Sequence, residues 1–317
     1  MRHFACIVHT NNLKLKQMNK YYVYLAFLVL FSCGGTTNKK ADTCKKGIAK
    51  ILVDESFKPL FETSSATFES LAPESDIQPQ YLAEGAIIEK YYEGKIKTIC
   101  ISRDLTEKEK NILKSHQIEV RSDKIAIDGV ALIVHPKNKD TTITLDELKQ
   151  VLKGEKTNWK TTKNKIDVVF DQQNSANFNY MLAFAKTKTL SKNVFAVKSN
   201  EEVINYVKNN ENAIGVIGLN WISDQDDFEV MNFLDGIKVM HVAKNEKSDY
   251  FQPYPGVIYT YEYPLTREMW IINWGPRSGI NSGFVNFMVG EKGQLLIQKS
   301  ELVPARSPIR LIQMSTE

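Results

Sequence analysis

The sequence predicts an α/β protein of two lobes joined by crossing segments. Three observations carry this. Short apolar runs bounded by turn signals recur along the chain, as in Thr98-Ile99-Cys100-Ile101, Ile166–Phe170 and Ala213–Gly218, the pattern of buried strands in an α/β sheet. Stretches with apolar residues on one 3.6-period face alternate with those runs. The run Lys124–Pro136 is longer than one ordinary strand, so it is expected to cross from one lobe into the other. A return crossing is expected to start at Gly236–Ala243.

Taken in order, Ala49–Val53 reads as the first strand, followed by Asp54-Glu55-Ser56-Phe57 and a helix from about Lys58. Phe57, Leu60, Phe61, Phe68 and Leu71 share one helical face, and Pro59 suits the first turn, where its missing N–H costs nothing. Ser56 is either a plain cap or, beside free backbone amides at a helix N-terminus, an anion ligand. Ile77–Leu82 is a second strand, and Glu84 opens the next helix. The Glu84 carboxylate either complements the helix dipole or faces a cleft.

Thr98–Ile101 runs into the polar turn Ser102-Arg103-Asp104 and a helix from Glu107. Open α/β sheets bind ligands at the carboxyl ends of their strands, which makes Ser102 and Arg103 site candidates; the alternative for Arg103 is a surface pair with Glu107. Thr144–Lys153 is a helix stopped by Gly154, and Trp159 in the next loop reads as packing. Ile166–Phe170 leads into Asp171–Asn177 and another helix, the second lobe's counterpart of the Ser56 turn. Lys198–Lys208 and Gly283–Lys299 are helices, the latter with a break suggested by Gly290 and Gly293, and Ala213–Gly218 is a strand.

The formal net charge of +4 misleads. Arg2, Lys14, Lys16 and Lys20 precede residue 33 without any acid, and the rest of the chain holds 37 basic and 37 acidic residues. That balance argues against nucleic acid, which demands a concentrated basic surface. Met18-Asn19-Lys20 followed by the apolar run Tyr21–Phe31 has the form of a signal peptide, with Met18 a candidate true start. The run is too short for a membrane span. It ends Leu30-Phe31-Ser32-Cys33, which resembles a bacterial lipobox with Cys33 as the lipidated residue; a signal anchor kept uncleaved is the alternative. Cys44 and Cys100 are either a disulfide or, for Cys100, a buried free thiol. No metal-ligand spacing is present, the histidines form no constellation, and no hydrolase or phosphate-loop motif appears. An enzyme is not expected, nor a cofactor.

Six stretches together resemble one family. They are SRDLTEKE (Ser102–Glu109), KIAIDGVALIVHPKN (Lys124–Asn138), TLDELKQVLKGEKTNW (Thr144–Trp159), NNENAIGVIGLNW (Asn209–Trp221), YPLTREMWI (Tyr263–Ile271) and GFVNFMVGEKGQLLIQKSELVPA (Gly283–Ala305). They are similar to the phosphate-binding proteins of ABC phosphate importers, in the type II periplasmic binding protein superfamily. The resemblance implies a two-lobed fold closing on a hinge of two crossing segments. It implies 1–32 as signal peptide, 33–44 as lipidated tether, 45–134 and 240–317 as one lobe, and 135–239 as the other.

The same resemblance implies a phosphate or related oxyanion bound by Ser56 and Phe57, Glu84, Ser102 and Arg103 from one lobe, and by Asp171, Ser175 and Asn177 from the other. Glu84 stands where a serine is usual and Asn177 where a threonine is. Arg103 stands where the family has an aspartate and Asp171 where it has an arginine, an apparent exchange between lobes. The implied protein is a monomer held by lipid on Cys33 to a bacterial membrane, in the periplasm or at the cell surface. Its implied partners are ABC permease subunits. A non-transport envelope lipoprotein, a ligand sensor or scaffold, is the alternative.

Overall fold

The computed structural model describes residues 42–223 and 234–306. The expected signal peptide, Cys33 and most of the tether lie outside the described residues. The first lobe opens with β1 (Lys46–Asp54), α1 (Lys58–Leu71), β2 (Glu74–Leu82), α2 (Glu84–Tyr92), β3 (Thr98–Ile101) and α3 (Glu107–Ser115). Strand β1 lies between β2 and β3, parallel to both. Helix α1 begins at the predicted residue, with proline in its first turn, and buries Leu60, Phe61 and Phe68 against the sheet. Helix α3 starts on a capping box in which Thr106 and Glu109 satisfy each other's backbone amides.

Strand β4 (Arg121–Val134) is the predicted crossing. It is followed by β5 (Thr142–Thr144), α4 (Leu145–Lys153), β6 (Asp167–Phe170), α5 (Ala176–Ala185), β7 (Val194–Ala196), α6 (Asn200–Asn209) and β8 (Ala213–Gly218). Strand β6 lies between β7 and β8, parallel to both, and β8 runs antiparallel to the second part of β4, from Val130 to Val134. Gly154 ends α4 with φ 78°, the left-handed conformation that favours glycine. Trp159 is buried and its Nε1–H donates to the Asn212 carbonyl at 3.0 Å, which is packing as expected.

The return differs from the sequence reading. Strands β9 (Lys238–Val239) and β10 (His241–Ala243) pair with β4 and β5. After α7 (Pro255–Tyr259), strand β11 (Thr266–Asn273) enters the sheet between β3 and β4, antiparallel to both. The sequence reading assigns no strand there; Arg267 and Glu268 break the apolar run that would mark one. The last helix is two helices, α8 (Ile280–Val289) and α9 (Glu291–Lys299), followed by β12 (Val303–Pro304). Gly290 is the break, and a Cβ on Gly293 would come within 2.3 Å of the Phe287 carbonyl.

The chain is fastened from Asp42 on, earlier than a tether ending at residue 44 implies. Asp42 Oδ1 accepts the Ile280 amide at 3.1 Å, and Cys44 packs its backbone against Gly283. Cys44 and Cys100 are both free thiols, and Cys100 is buried in β3. Among the described residues no helix is long and apolar enough to cross a membrane.

Candidate functional site

Polar residues gather at the carboxyl ends of strands from both halves of the sheet. Asp54 ends β1 and Glu55 and Ser56 follow it, Glu84 follows β2, Ser102 and Arg103 follow β3, Asp171 follows β6, and Asn220 follows β8. Ser175 caps α5, its Oγ accepting the Phe178 amide at 3.1 Å. Asp54, Ser56, Asp171, Ser175 and, within α5, Asn177 are wholly buried.

Arg267 sits at the centre. It lies opposite Asp128 in the β11–β4 ladder, and its Nε and Nη2 both donate to Asp128 Oδ2, at 2.9 and 2.7 Å. Nη1 donates to Asn177 Oδ1 at 2.8 Å, and the guanidinium lies 4.8 Å above the Phe57 ring. Both members of the ion pair are buried, at 2% and 0% side-chain exposure. Glycine is required at position 218, where a Cβ would stand 2.8 Å from Arg267 Nη2 and 3.1 Å from the Ser56 carbonyl.

Carboxylates occupy the helix ends. Asp54 accepts the Ser56 amide on Oδ1 and, on Oδ2, the Ala176 amide at the start of α5, both at 3.0 Å. Glu55 Oε2 accepts the Asn200 amide at the start of α6 at 3.2 Å and also the Asn200 side-chain amide. Asp171 Oδ1 accepts the Ser175 hydroxyl at 2.7 Å. Asn200 links the set onward, its Oδ1 accepting from Asn177 Nδ2 at 3.1 Å. Helix N-terminal amides offer donors to an incoming acceptor, and here the chain's own carboxyl oxygens meet them.

The crowding raises the carboxyl pKa values. Burial, with Asp171 and Glu84 nearby, pushes Asp54 from an ordinary 3.8 up to about 7. Burial and Asp171 push Glu55 up to about 8. Burial also raises Asp171 and Asp128, and the nearby Arg267 only partly offsets it. The Ser56 hydroxyl is buried in this cluster without a well-formed hydrogen bond, near enough to Asp54 to favour its ionised form a little. Buried hydroxyls are normally paired.

The β3 turn forms a separate group. Glu84 Oε2 accepts the Ser102 amide at 3.1 Å and the Ser102 hydroxyl at 2.5 Å, and Oε1 accepts Arg103 Nε at 3.1 Å. The rest of the Arg103 guanidinium forks onto Glu109, with two bonds of 2.8 Å, and that pairing helps hold Glu109 at about 2. Arg103 is thus paired with Glu109 and Glu84, not with Glu107 or across the cleft with Asp171. The arginine acting on Asp171 is Arg267. Sequence reading missed Arg267, Asp128, Asp54, Glu55, Asn200 and Asn220 as members of this cluster. The signal that could have found the first two is an acid, Asp128, in the middle of an apolar strand.

A model of the PBP superfamily domain matches residues 38–292. The chain belongs to the PBP superfamily. Its two halves, with β4 passing between them, form the two-lobed type II fold of that superfamily. Among relatives, this PBP member is 26% identical over 282 residues to the phosphate-binding protein PstS of Staphylococcus aureus strain USA300, covering 85% of this chain and 82% of that one. Solved structures share the fold. A Clostridium perfringens substrate-binding protein with bound phosphate superimposes with a TM-score of 0.69 at 24% identity, covering 82% of this chain and 100% of that one. An ABC-type phosphate transport receptor from Vibrio cholerae gives 0.61 at 20% identity, covering 81% and 100%.

Proposed function

We propose that this PBP member is a solute-binding protein, not an enzyme, that captures phosphate or a similar oxyanion between its lobes and delivers it to an ABC importer. The observation that carries the reading is the buried Ser56 hydroxyl, which makes no well-formed hydrogen bond although Asp54 is near, set at a helix start beside amides of α5 and α6 and within the cluster around Arg267. A hydroxyl donor, helix N-terminal amides and one arginine are the groups an oxyanion requires. The relationship to PstS supports the same ligand class. On this reading Arg267 supplies the opposing charge, and Ser56, Phe57, Ser175 and Asn177 line the anion. Glu84, Ser102, Arg103 and Asp171 shape the rim and the charge around it. Lipid on Cys33 holds the chain, as a monomer, at the outer side of a bacterial membrane.

A second reading is favoured by a specific observation. Asp54 and Glu55 already occupy the helix N-termini, which fits a ligand sensor or scaffold with a different or lost ligand. Calorimetric titration of phosphate into the full chain carrying Cys33→Ser separates the two. Ser56→Ala should weaken binding by at least about tenfold, because a hydrogen bond to a charged group contributes about 1.5–3 kcal/mol and 1.4 kcal/mol is a factor of ten. A folded wild type that binds no phosphate at millimolar concentration overturns the first reading. Unsubstituted Cys33 should pellet the protein with membranes, and Cys33→Ser should release it.

A further inference from the structure

The chain's own acids make part of the contact between the lobes. Asp54 and Glu55 stand at the carboxyl end of β1, yet they hold the amides of Ala176 and Asn200 at the starts of α5 and α6 in the other lobe. Two further contacts join the same surfaces: Gly85 N donates to the Asn174 carbonyl at 3.1 Å, and Asn220 Nδ2 donates to the Ser56 carbonyl. The amides that a helix N-terminus would offer to an incoming anion are therefore engaged before any ligand arrives.

We propose that Asp54 and Glu55 form a clasp that closes the two lobes on each other without a ligand and opens when its carboxyl groups lose their protons. The charges around the clasp set the direction. Asp54 faces Asp171 at the end of β6, Glu84 at the start of α2, the Cys100 thiol on β3, Glu55 beside it, and Arg267 on β11. Glu55 faces Asp171 and Asp54. Arg267 is a cation reaching this group, and its Nε and Nη2 bonds already go to Asp128. Full ionisation would place several like charges in a space with little water, where repulsion is strongest. An open cleft returns Asp54 and Glu55 to solvent and to ordinary acidity. Closing therefore takes up protons, and raising the pH opens the lobes. The raised values of about 7 and 8 agree with that direction.

The clasp does not depend on which ligand the cleft takes, so the ligand-free chain tests it. Small-angle scattering of the full chain carrying Cys33→Ser, dialysed free of phosphate, is recorded at about pH 5.5 and about pH 9. The radius of gyration should be small at the lower pH and larger at the higher. Asp54→Asn with Glu55→Gln keeps an acceptor oxygen without the charge, and should stay compact at both. Asp54→Ala with Glu55→Ala removes the acceptors and should be expanded at both, with its circular dichroism unchanged. Equal radii for the wild type at the two pH values overturn the clasp, as does an amide variant that expands like the wild type. Should the alanine variant fold poorly, those two comparisons still decide.

Discussion

Replacing Arg267 with methionine removes a guanidinium but keeps much of the side chain's apolar volume over Phe57. Its carboxylate partner Asp128 has no exposed surface, so nothing but protonation can compensate the charge left behind. Breaking a buried pair by deleting one partner costs about 3–5 kcal/mol. Asn177 Oδ1 also loses its donor at 2.8 Å, which adds about 1 kcal/mol or more. Against a total stability of about 5–15 kcal/mol, that is a large fraction. Arg267→Met together with Asp128→Asn removes both charges and should recover at least about 2 kcal/mol of the loss, because replacing a whole buried pair is often close to neutral. Urea unfolding of the wild type, both single variants and the double variant, followed by tryptophan fluorescence at about pH 7, completes the cycle. A loss below about 1 kcal/mol for Arg267→Met, or a double variant no more stable than the sum of the singles predicts, would refute the central role given to this pair.

Stability should fall as pH rises from about 5 to about 9. Asp54 and Glu55 bind protons more tightly in the folded state than in the unfolded one, so their contribution is complete below the ordinary carboxylate range. It is lost as pH rises through about 7 and 8. Asp54→Asn with Glu55→Gln should flatten that slope, and an unchanged slope in urea midpoints would count against the assignment. Gly215→Ala should cost about 1–3 kcal/mol by overpacking, since its Cβ would meet Ile133, Val207 and Val203 atoms at 2.7, 2.8 and 2.9 Å. A neutral result in thermal melts would show that these buried side chains can move aside.

Much of the architecture was legible because local chemistry agrees with the global fold. Pro59 and the apolar face of α1, the capping boxes at Thr106 and Thr144, and the left-handed Gly154 each mark an element boundary within a residue or two. The site was legible only where a residue acts through its own turn. Ser175 reads as a helix-start hydroxyl, and there it caps α5. Ser56 reads as a helix-start hydroxyl and lies there, buried. Asp54 and Glu55 escaped notice because their partners lie 122 and 145 residues away, and nothing in a strand-turn-helix pattern announces such a distance.

Arg267 was hidden by the same logic, in a form that could have been turned to advantage. On β11 the buried positions alternate, with Arg267, Met269 and Ile271 pointing inward. An inward arginine breaks the apolar alternation that marks a strand, so the segment reads as irregular. Strand β4 carries the matching irregularity, Asp128 within Ile125-Ala126-Ile127-Asp128-Gly129-Val130. A lone acid in a strand buried on both faces must be neutral or paired with a cation. That requirement, followed through the sequence, selects a strand with one inward basic residue, and Thr266–Asn273 supplies it. Two sequence anomalies that each argue against a strand therefore explain one another once they are paired. Their pairing places a buried guanidinium beneath the helix starts of both lobes.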